Sequence, residues 1–265
     1  MQRFEILTKN QVEKVHETSL QILKNIGMDF GYPPALEVLK KEGARVDGQR
    51  VFFPSRLVEA QLKKAPRRFT LHARNPQNNV VVGGRNTVFA PGYGAPFVTD
   101  LEYGRRKATL KDFDNFVKLT GASTNQDILS GTVVEPTDTP YETRHAQMVY
   151  SAVKYSDKCF MGSTMGARAA RDCIQMAAIL FGGREQIETA PGIMGIIGPL
   201  TPLKYDSRML EALMEYAAAG QPSLITSLAI AGATGPVTLA GNLALQNAEV
   251  LAGIVLANWY VRALR

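Results

Sequence analysis

Ile128-Leu129-Ser130-Gly131-Thr132-Val133-Val134, followed by Glu135-Pro136 and then by a helical run from about Tyr141 to Tyr155, sets the pattern that decides the fold. The succession returns three times: Lys158–Met161 before a helix from about Ala167 to Phe181, Ile193–Ile197 before Asp206–Ala219, and Ser223–Leu228 before a helix from about Thr238. Each unit takes roughly 35 residues, and apolar strands alternating with helices at that period form a parallel sheet. The strands end in small or turn-forming residues: Glu135-Pro136, Gly162-Ser163-Thr164, Gly198-Pro199, and Ala231 through Pro236. Those are the ends where α/β proteins place their sites. Two architectures hold four such units, a small doubly wound sheet or half of a (β/α)8 barrel. No Gly-x-Gly-x-x-Gly loop follows the first strand, so a dinucleotide site is not indicated. The residues by themselves leave both architectures open.

Working outward, residues 1–124 read differently, as a small α+β cap in front of a repeat region spanning 125–265. Thr8 and Gln11 form a capping box, and Val12, Val15, Ile22, Leu23 and Ile26 recur at helical spacing until Gly27. Pro33-Pro34 opens a second helix that ends at Gly43, and Pro54 starts a third. Strands are expected at Arg50–Phe53, Phe69–Ala73, Val80–Gly83 and Val88–Ala90, too close together for helices to link them all. Gly92 to Pro96 reads as a loop. Thr109, with Asp112 three residues on, caps a helix expected to end at Gly121.

Composition narrows the function. With 265 residues, 45% of them hydrophobic and 20% charged, the chain can bury a full core, and disorder, collagen and coiled coil are excluded. The net charge of +6 comes from scattered cations whose densest groups are short, as at Lys63-Lys64, Arg67-Arg68 and Arg105 to Lys107. Those are solvated faces rather than a nucleic-acid stripe. Cys159 and Cys173 lie in apolar runs, as expected of reduced, buried thiols in a cytoplasmic protein. The N-terminus is not a signal peptide, and the apolar stretch from Val250 to Val261 is too short to span a membrane. His16, His72 and His145 show no ligand spacing, so no metal site is expected.

The run Gly232-Ala233-Thr234-Gly235-Pro236-Val237-Thr238-Leu239-Ala240-Gly241, followed by Asn247 to Gly253, resembles the trimethylamine methyltransferase (MttB-like) family of corrinoid-dependent methyltransferases. Leu7 to Gly27, Gly43-Ala44, Pro66 to Arg74, Asp100 to Arg106 and Gly198-Pro199-Leu200 follow the family's order, so the resemblance covers nearly the whole chain. It implies a (β/α)8 TIM barrel of which about four βα units are present. It also implies transfer of a methyl group from a methylated amine, trimethylamine or a quaternary amine such as glycine betaine, to the cobalt of a corrinoid. That corrinoid is carried by a cognate partner protein and not bound directly by this chain. Methylamine metabolism, including methanogenesis, is the setting the family implies. No nucleic acid or membrane is expected as a partner, and a homo-oligomer is compatible with the reading.

Two departures stand out. The chain stops after the fourth unit, and Asn258 to Arg265 does not follow the expected continuation. A frameshift, premature stop or fragmentary gene accounts for both most simply, and the family's pyrrolysine position lies in the part not present. On this reading the fourth strand, and by the same reasoning the first, is left with an open edge. The competing reading is a non-catalytic fragment or a binding module that dimerises.

Transfer from a quaternary amine to cobalt(I) needs no proton relay; the protein must position the methyl group and stabilise a cation with aromatic faces or carboxylates. Glu135, with Tyr93, Phe97 and Tyr141, is the candidate set for that task. Ser163, Thr164, Thr201 and Ser227 sit at strand ends where hydroxyls can meet a corrinoid or cap a helix. Gly232, Thr234 and Gly235 form the loop best suited to close backbone approach by a bulky ring, or to a tight turn alone.

Overall fold

The first helix begins where its capping box puts it. In a computed structural model, which describes residues 5–263 and side chains through residue 260, α1 runs Lys9–Gln21. The Gln11 amide donates to the Thr8 hydroxyl at 3.3 Å, and the Thr8 amide donates to Gln11 Oε1 at 2.8 Å. The helix widens into a π-turn over Ile22–Ile26 and stops at Gly27, whose φ of 75° takes the chain into the left-handed region. The final residues of the divergent ending, 264–265, lie outside the described residues.

By mutual contacts the chain forms two units. One comprises Met1–Ala65, Ile197–Met214 and Ile225–Arg265, the other Pro66–Ile196 and Glu215–Leu224. This division does not follow the change of pattern near residue 125.

In the first unit, β1 (Met28–Phe30), β2 (Arg45–Asp47) and β3 (Arg50–Phe52) join β11 (Lys204–Tyr205) in the order β11-β1-β3-β2. β1 runs parallel to β11 and antiparallel to β3. The unit also contains α2 (Pro33–Lys41) and α3 (Ser55–Leu62). Both pack, with α1, on the long helix α9 (Leu239–Ala263). Phe30, Phe53 and Tyr205 meet in its core, with ring centroids 5.6 to 5.9 Å apart. At 25 residues α9 is twice the apolar stretch read from sequence, and Leu239–Tyr260 is long and apolar enough to cross a membrane; more than half of that window is buried inside the fold, as in a core helix.

In the second unit, β4 (Arg68–Leu71) and β5 (Val80–Gly83) form a hairpin. A second hairpin joins β6 (Phe97–Asp100) to β7 (Gly104–Lys107), ahead of α4 (Leu110–Ala122). The repeats then follow in the expected places: β8 (Ile128–Leu129), α5 (Tyr141–Tyr155), β9 (Cys159–Phe160) and α6 (Ala167–Leu180). A short helix α7 (Arg184–Thr189) precedes β10 (Gly195–Ile197), α8 (Ser207–Ala218) and β12 (Ser223–Ile225). The boundary between the units falls within β10, α8 and β12. β8 and β9 are parallel, Met161 bridges Met194 in parallel, and β12 lies next to β10, so the repeat strands neighbour one another in chain order. Ile128, Cys159, Met161 and Met194 point to one side and pack on Leu71 and Ala73.

The repeat strands are shorter than their apolar runs. β8 ends at Leu129, and just beyond it a Cβ at Gly131 would meet the carbonyls of Met161 and Gly162 at 3.0 to 3.1 Å, so the glycine permits a close approach to the backbone after β9. Val88–Ala90 is not a strand. Instead the Phe89 carbonyl accepts the amides of Asp127 and Ile128, Gly94 donates to the Thr132 carbonyl, and Ala95 bridges Val134 in parallel. The edge of β8 expected to be open is therefore lined by this segment.

The sheet-to-helix spacing depends on glycine. A Cβ at Gly162 would collide with the Tyr216 hydroxyl and approach Ile193 and Cys173. The fully buried Tyr216 hydroxyl donates to the Ser163 carbonyl at 3.1 Å, so the ring cannot withdraw without losing that bond. Gly162→Ala is expected to destabilise by about 1–3 kcal/mol, the usual cost of overpacking, read as a shift in the denaturant midpoint at unchanged slope.

The second hairpin is fixed at its base by charge. Arg106 donates to both Asp112 oxygens at 2.6 and 2.8 Å and to Asp100 at 3.1 Å, while Asp112 completes the capping box with Thr109. The Arg106 fork, with the Thr109 hydroxyl and amide, holds the Asp112 carboxyl well below the usual carboxylate range. A depressed pKa in the folded state gives stability that is complete above the ordinary aspartate value of about 3.9 and is lost as pH falls below it. Thermal unfolding of the native chain is expected to drop more steeply between pH 5 and 3 than that of Asp112→Asn (both pH values approximate bounds of that window).

Candidate functional site

Beyond the C-terminal ends of β8 and β9, within the second unit, lies a cavity of about 290 Å³. Three segments build it: the strand-end loops carrying Thr132, Glu135, Ser163 and Met165; the first two turns of α5 with Tyr141, Glu142, Arg144, His145 and Met148; and the start of α6 with Arg168 and Ala169. Tyr93 and Gly94 close the fourth side. Tyr93 and Tyr141 are about half exposed, so aromatic surface is presented at the rim.

Arg144 organises the charge. Its guanidinium, only 16% exposed, donates to Glu135 at 2.5 Å and to the Thr139 carbonyl at 3.1 Å, and it lies 5.9 Å from the centre of the Tyr141 ring. A guanidinium has five N–H donors, so this arrangement leaves some for a ligand. His145 shares a 2.8 Å hydrogen bond with Asp172, to which Arg168 makes a looser 3.8 Å contact. The lining thus carries two carboxylates, Glu135 and Glu142, and two guanidiniums, Arg144 and Arg168. Its formal charge is balanced.

Of the residues singled out from sequence, Glu135, Ser163, Tyr93 and Tyr141 converge on this cavity. Glu135 is not a free acid, because Arg144 neutralises it. Ser163 accepts the Met165 amide at 3.3 Å, and Thr164 is buried where a Cβ on Gly195 would touch it. Phe97 is not in the lining and carries the Arg105 guanidinium 3.8 Å above its ring.

Thr201 and Ser227 go elsewhere. In the first unit both hydroxyls donate to Glu249, Thr201 at 2.9 Å, and the Leu203 amide adds a third bond at 2.7 Å. Glu249 has no solvent exposure. Gly232, Thr234 and Gly235 form a turn closed on itself: the Ile230 carbonyl accepts the amides of Ala233, Thr234 and Gly235, and Thr234 Oγ1 accepts the Ile230 amide. Gly232 has φ 76°, and a Cβ at Gly235 would collide with Asn242. These five residues build loops from groups already satisfied within the protein.

Arg144, Glu142, His145, Arg168 and Glu249 were not singled out. Glu249 had a signal, being the one charged residue between Tyr216 and Val261. A lone acid in so apolar a run must be buried and hydrogen-bonded. Burial also pushes the Cys159 and Cys173 thiols up to about 12, so they stay protonated and unreactive. A second cavity, of about 410 Å³, lies by Asn78, Asp157 and Lys158. Asn75 and Asn78 donate to Asp157 there, and Lys158 donates to the carbonyls of Thr120, near the end of α4, and of Gln126 in the turn that follows.

An α/β chain of consecutive strand–helix units, with a small charge-balanced cavity at the carboxyl ends of its strands, has the layout in which α/β folds place their ligand sites. More narrowly, the chain belongs to the trimethylamine methyltransferase (MTTB) family, whose model matches residues 1–263 and so reaches into the ending that looked divergent. It is 57% identical to a glycine betaine methyltransferase of Desulfitobacterium hafniense over 96% of this chain and 53% of that protein. It is 30% identical to a proline betaine:corrinoid methyltransferase of Eubacterium limosum, over 94% of this chain and 53% of that protein. Among solved structures, the monomethylamine methyltransferase of Methanosarcina barkeri superposes with a TM-score of 0.57 at 12% identity, over 90% of this chain and 49% of that one, a likeness of fold. The chain spans about half the length of the curated relatives it matches.

Replacing Glu249 by Gln puts an amide donor against three donors. A loss of about 1–3 kcal/mol is expected from the bond left unmade, measured by equilibrium denaturation, with Thr201→Val milder because two donors remain.

Proposed function

We propose that this chain carries the amine-handling part of a corrinoid-dependent methyltransferase, and that its substrate is a zwitterionic betaine rather than a simple methylamine. The observation that carries the substrate class is the balanced lining. A site for a lone cation such as trimethylammonium calls for net negative charge, whereas Glu135 is already neutralised by Arg144 and a second pair, Glu142 and Arg168, is also present. A betaine offers a carboxylate for the guanidiniums and a quaternary head for the tyrosine faces and carboxylates. The similarity to two betaine methyltransferases supports the same reading.

The repeats are read as the opening four staves of a (β/α)8 barrel spanning 125–265, behind an α+β cap of residues 1–124. Their chain-order adjacency and parallel pairing support this. The corrinoid, carried by a partner protein, supplies cobalt(I) as the methyl acceptor. Of the groups that could contact it, Thr201, Ser227 and the Gly232–Gly235 turn are engaged within the chain, whereas Ser163 lines the cavity. On this reading residues 1–265 position the amine, and turnover by them alone is small or nil because four staves do not close an eight-stave barrel.

Calorimetric titration with glycine betaine, choline and trimethylamine tests the proposal. Glycine betaine is expected to bind at least about tenfold tighter than choline, which lacks the carboxylate, and Arg144→Ala to remove that preference. Equal binding of choline would overturn the zwitterion assignment, and no binding by any of the three would overturn the site. Robust methyl transfer to cob(I)alamin by this chain alone would overturn the half-barrel reading.

A further inference from the structure

His145 stands on α5 with its side chain only 8% exposed, and it lines the cavity beyond β8 and β9. Its Nε2 lies 2.8 Å from a carboxylate oxygen of Asp172 on α6, and Arg168 approaches that same oxygen at 3.8 Å. A carboxylate only accepts hydrogen bonds, so the hydrogen of the neutral imidazole sits on Nε2 and Nδ1 keeps its lone pair. No hydrogen bond among the described residues engages Nδ1. A nearly buried residue in the cavity wall therefore carries an acceptor with nothing to accept.

The rest of the lining shows what that acceptor is for. Arg144 and Arg168 are donors only, suited to a carboxylate. Glu135 is already engaged by Arg144, and Glu142 is exposed at the rim, where water competes for any donor. A bond made at a buried acceptor counts for more, because the group is otherwise left unmatched away from water. The cavity thus favours a ligand that brings an N–H to His145. Methyl transfer makes such a ligand. The nitrogen of a betaine carries four carbons and no hydrogen. When one methyl leaves without the electrons of its C–N bond, the pair stays on nitrogen. A proton taken from water at that pair then gives a tertiary ammonium with a single N–H.

We propose that Nδ1 of His145 accepts this N–H, so that the cavity tells the demethylated amino acid from the betaine by a hydrogen bond only the product can make. The assignment rests on the zwitterionic-betaine reading of the cavity. Calorimetric titration of the full chain with glycine betaine and with N,N-dimethylglycine tests it. His145→Phe keeps a flat ring without an acceptor. It is expected to lose about tenfold in affinity for dimethylglycine while glycine betaine changes by less than about twofold. His145→Asn, which returns an oxygen acceptor at the δ position, is expected to bind dimethylglycine more tightly than His145→Phe. Both variants are expected to keep the native circular dichroism, since Asp172, at 39% exposure, is solvated when its partner is lost. Parallel loss of both ligands would make His145 a wall of the cavity and overturn the proposal. So would dimethylglycine that fails to bind the native chain, is indifferent to His145→Phe, or is held no better by His145→Asn. Failure of glycine betaine to bind the native chain would overturn the betaine reading itself, and this assignment with it.

Discussion

A carboxylate shut away from water must have its charge met by donors inside the protein, and Glu249 imposes that requirement on the first unit. It sits within an otherwise apolar helix, and its donors come from the loop after β10, through Thr201 and Leu203, and from the stretch after β12, through Ser227. Its own carbonyl accepts the Tyr205 hydroxyl at 3.1 Å. Tyr205 belongs to β11, which pairs with β1 and so carries the four-stranded sheet. One acid therefore sets the path of two strand-end loops and anchors the strand on which the first unit's four-stranded sheet is assembled. Two hydroxyls that look like ligand contacts in sequence are there because this acid is buried.

The same logic gives the opposite result at the cavity. Glu135 and Arg144 form a close pair, but Glu135 remains 44% exposed and the guanidinium keeps donors unused. A pair in that position is weakly stabilising as a surface ion pair and is open to a competing carboxylate or ammonium. Buried charge in the first unit is saturated and structural, whereas half-exposed charge in the second unit is balanced and available. Exposure, more than residue type, separates the scaffold acid from the site acid.

Features that depend on neighbours three or four residues away were legible in the sequence. The capping boxes of Thr8 with Gln11 and Thr109 with Asp112 form as read, and α5 spans Tyr141–Tyr155 as its periodicity indicates. Features made by distant partners were not. Nothing in Met28–Phe30 announces a pairing with Lys204–Tyr205, and nothing in Val88–Ala90 tells a strand from a segment that lends single carbonyls to Asp127 and Ile128. Gly121 was read as a stop, yet the helix continues one residue past it; the glycine makes room for Ser156, which a Cβ there would meet at 3.1 Å. At the site, residue type pointed to Glu135 and the tyrosines, while Arg144 shows its importance only once α5 turns it back onto Glu135.

The segment from Phe89 to Ala95 closes one edge of the repeat series. A strand edge left bare recruits whatever strand it meets, and two bare edges on one molecule permit open-ended growth. Here a loop donates carbonyls and amides along β8 without forming a regular strand, satisfying Asp127, Ile128, Thr132 and Glu135 in turn. That lining is local, built from residues that precede the repeats. At the other end of the series, the buried acid that shapes the strand-end loops holds Ser227, just past β12.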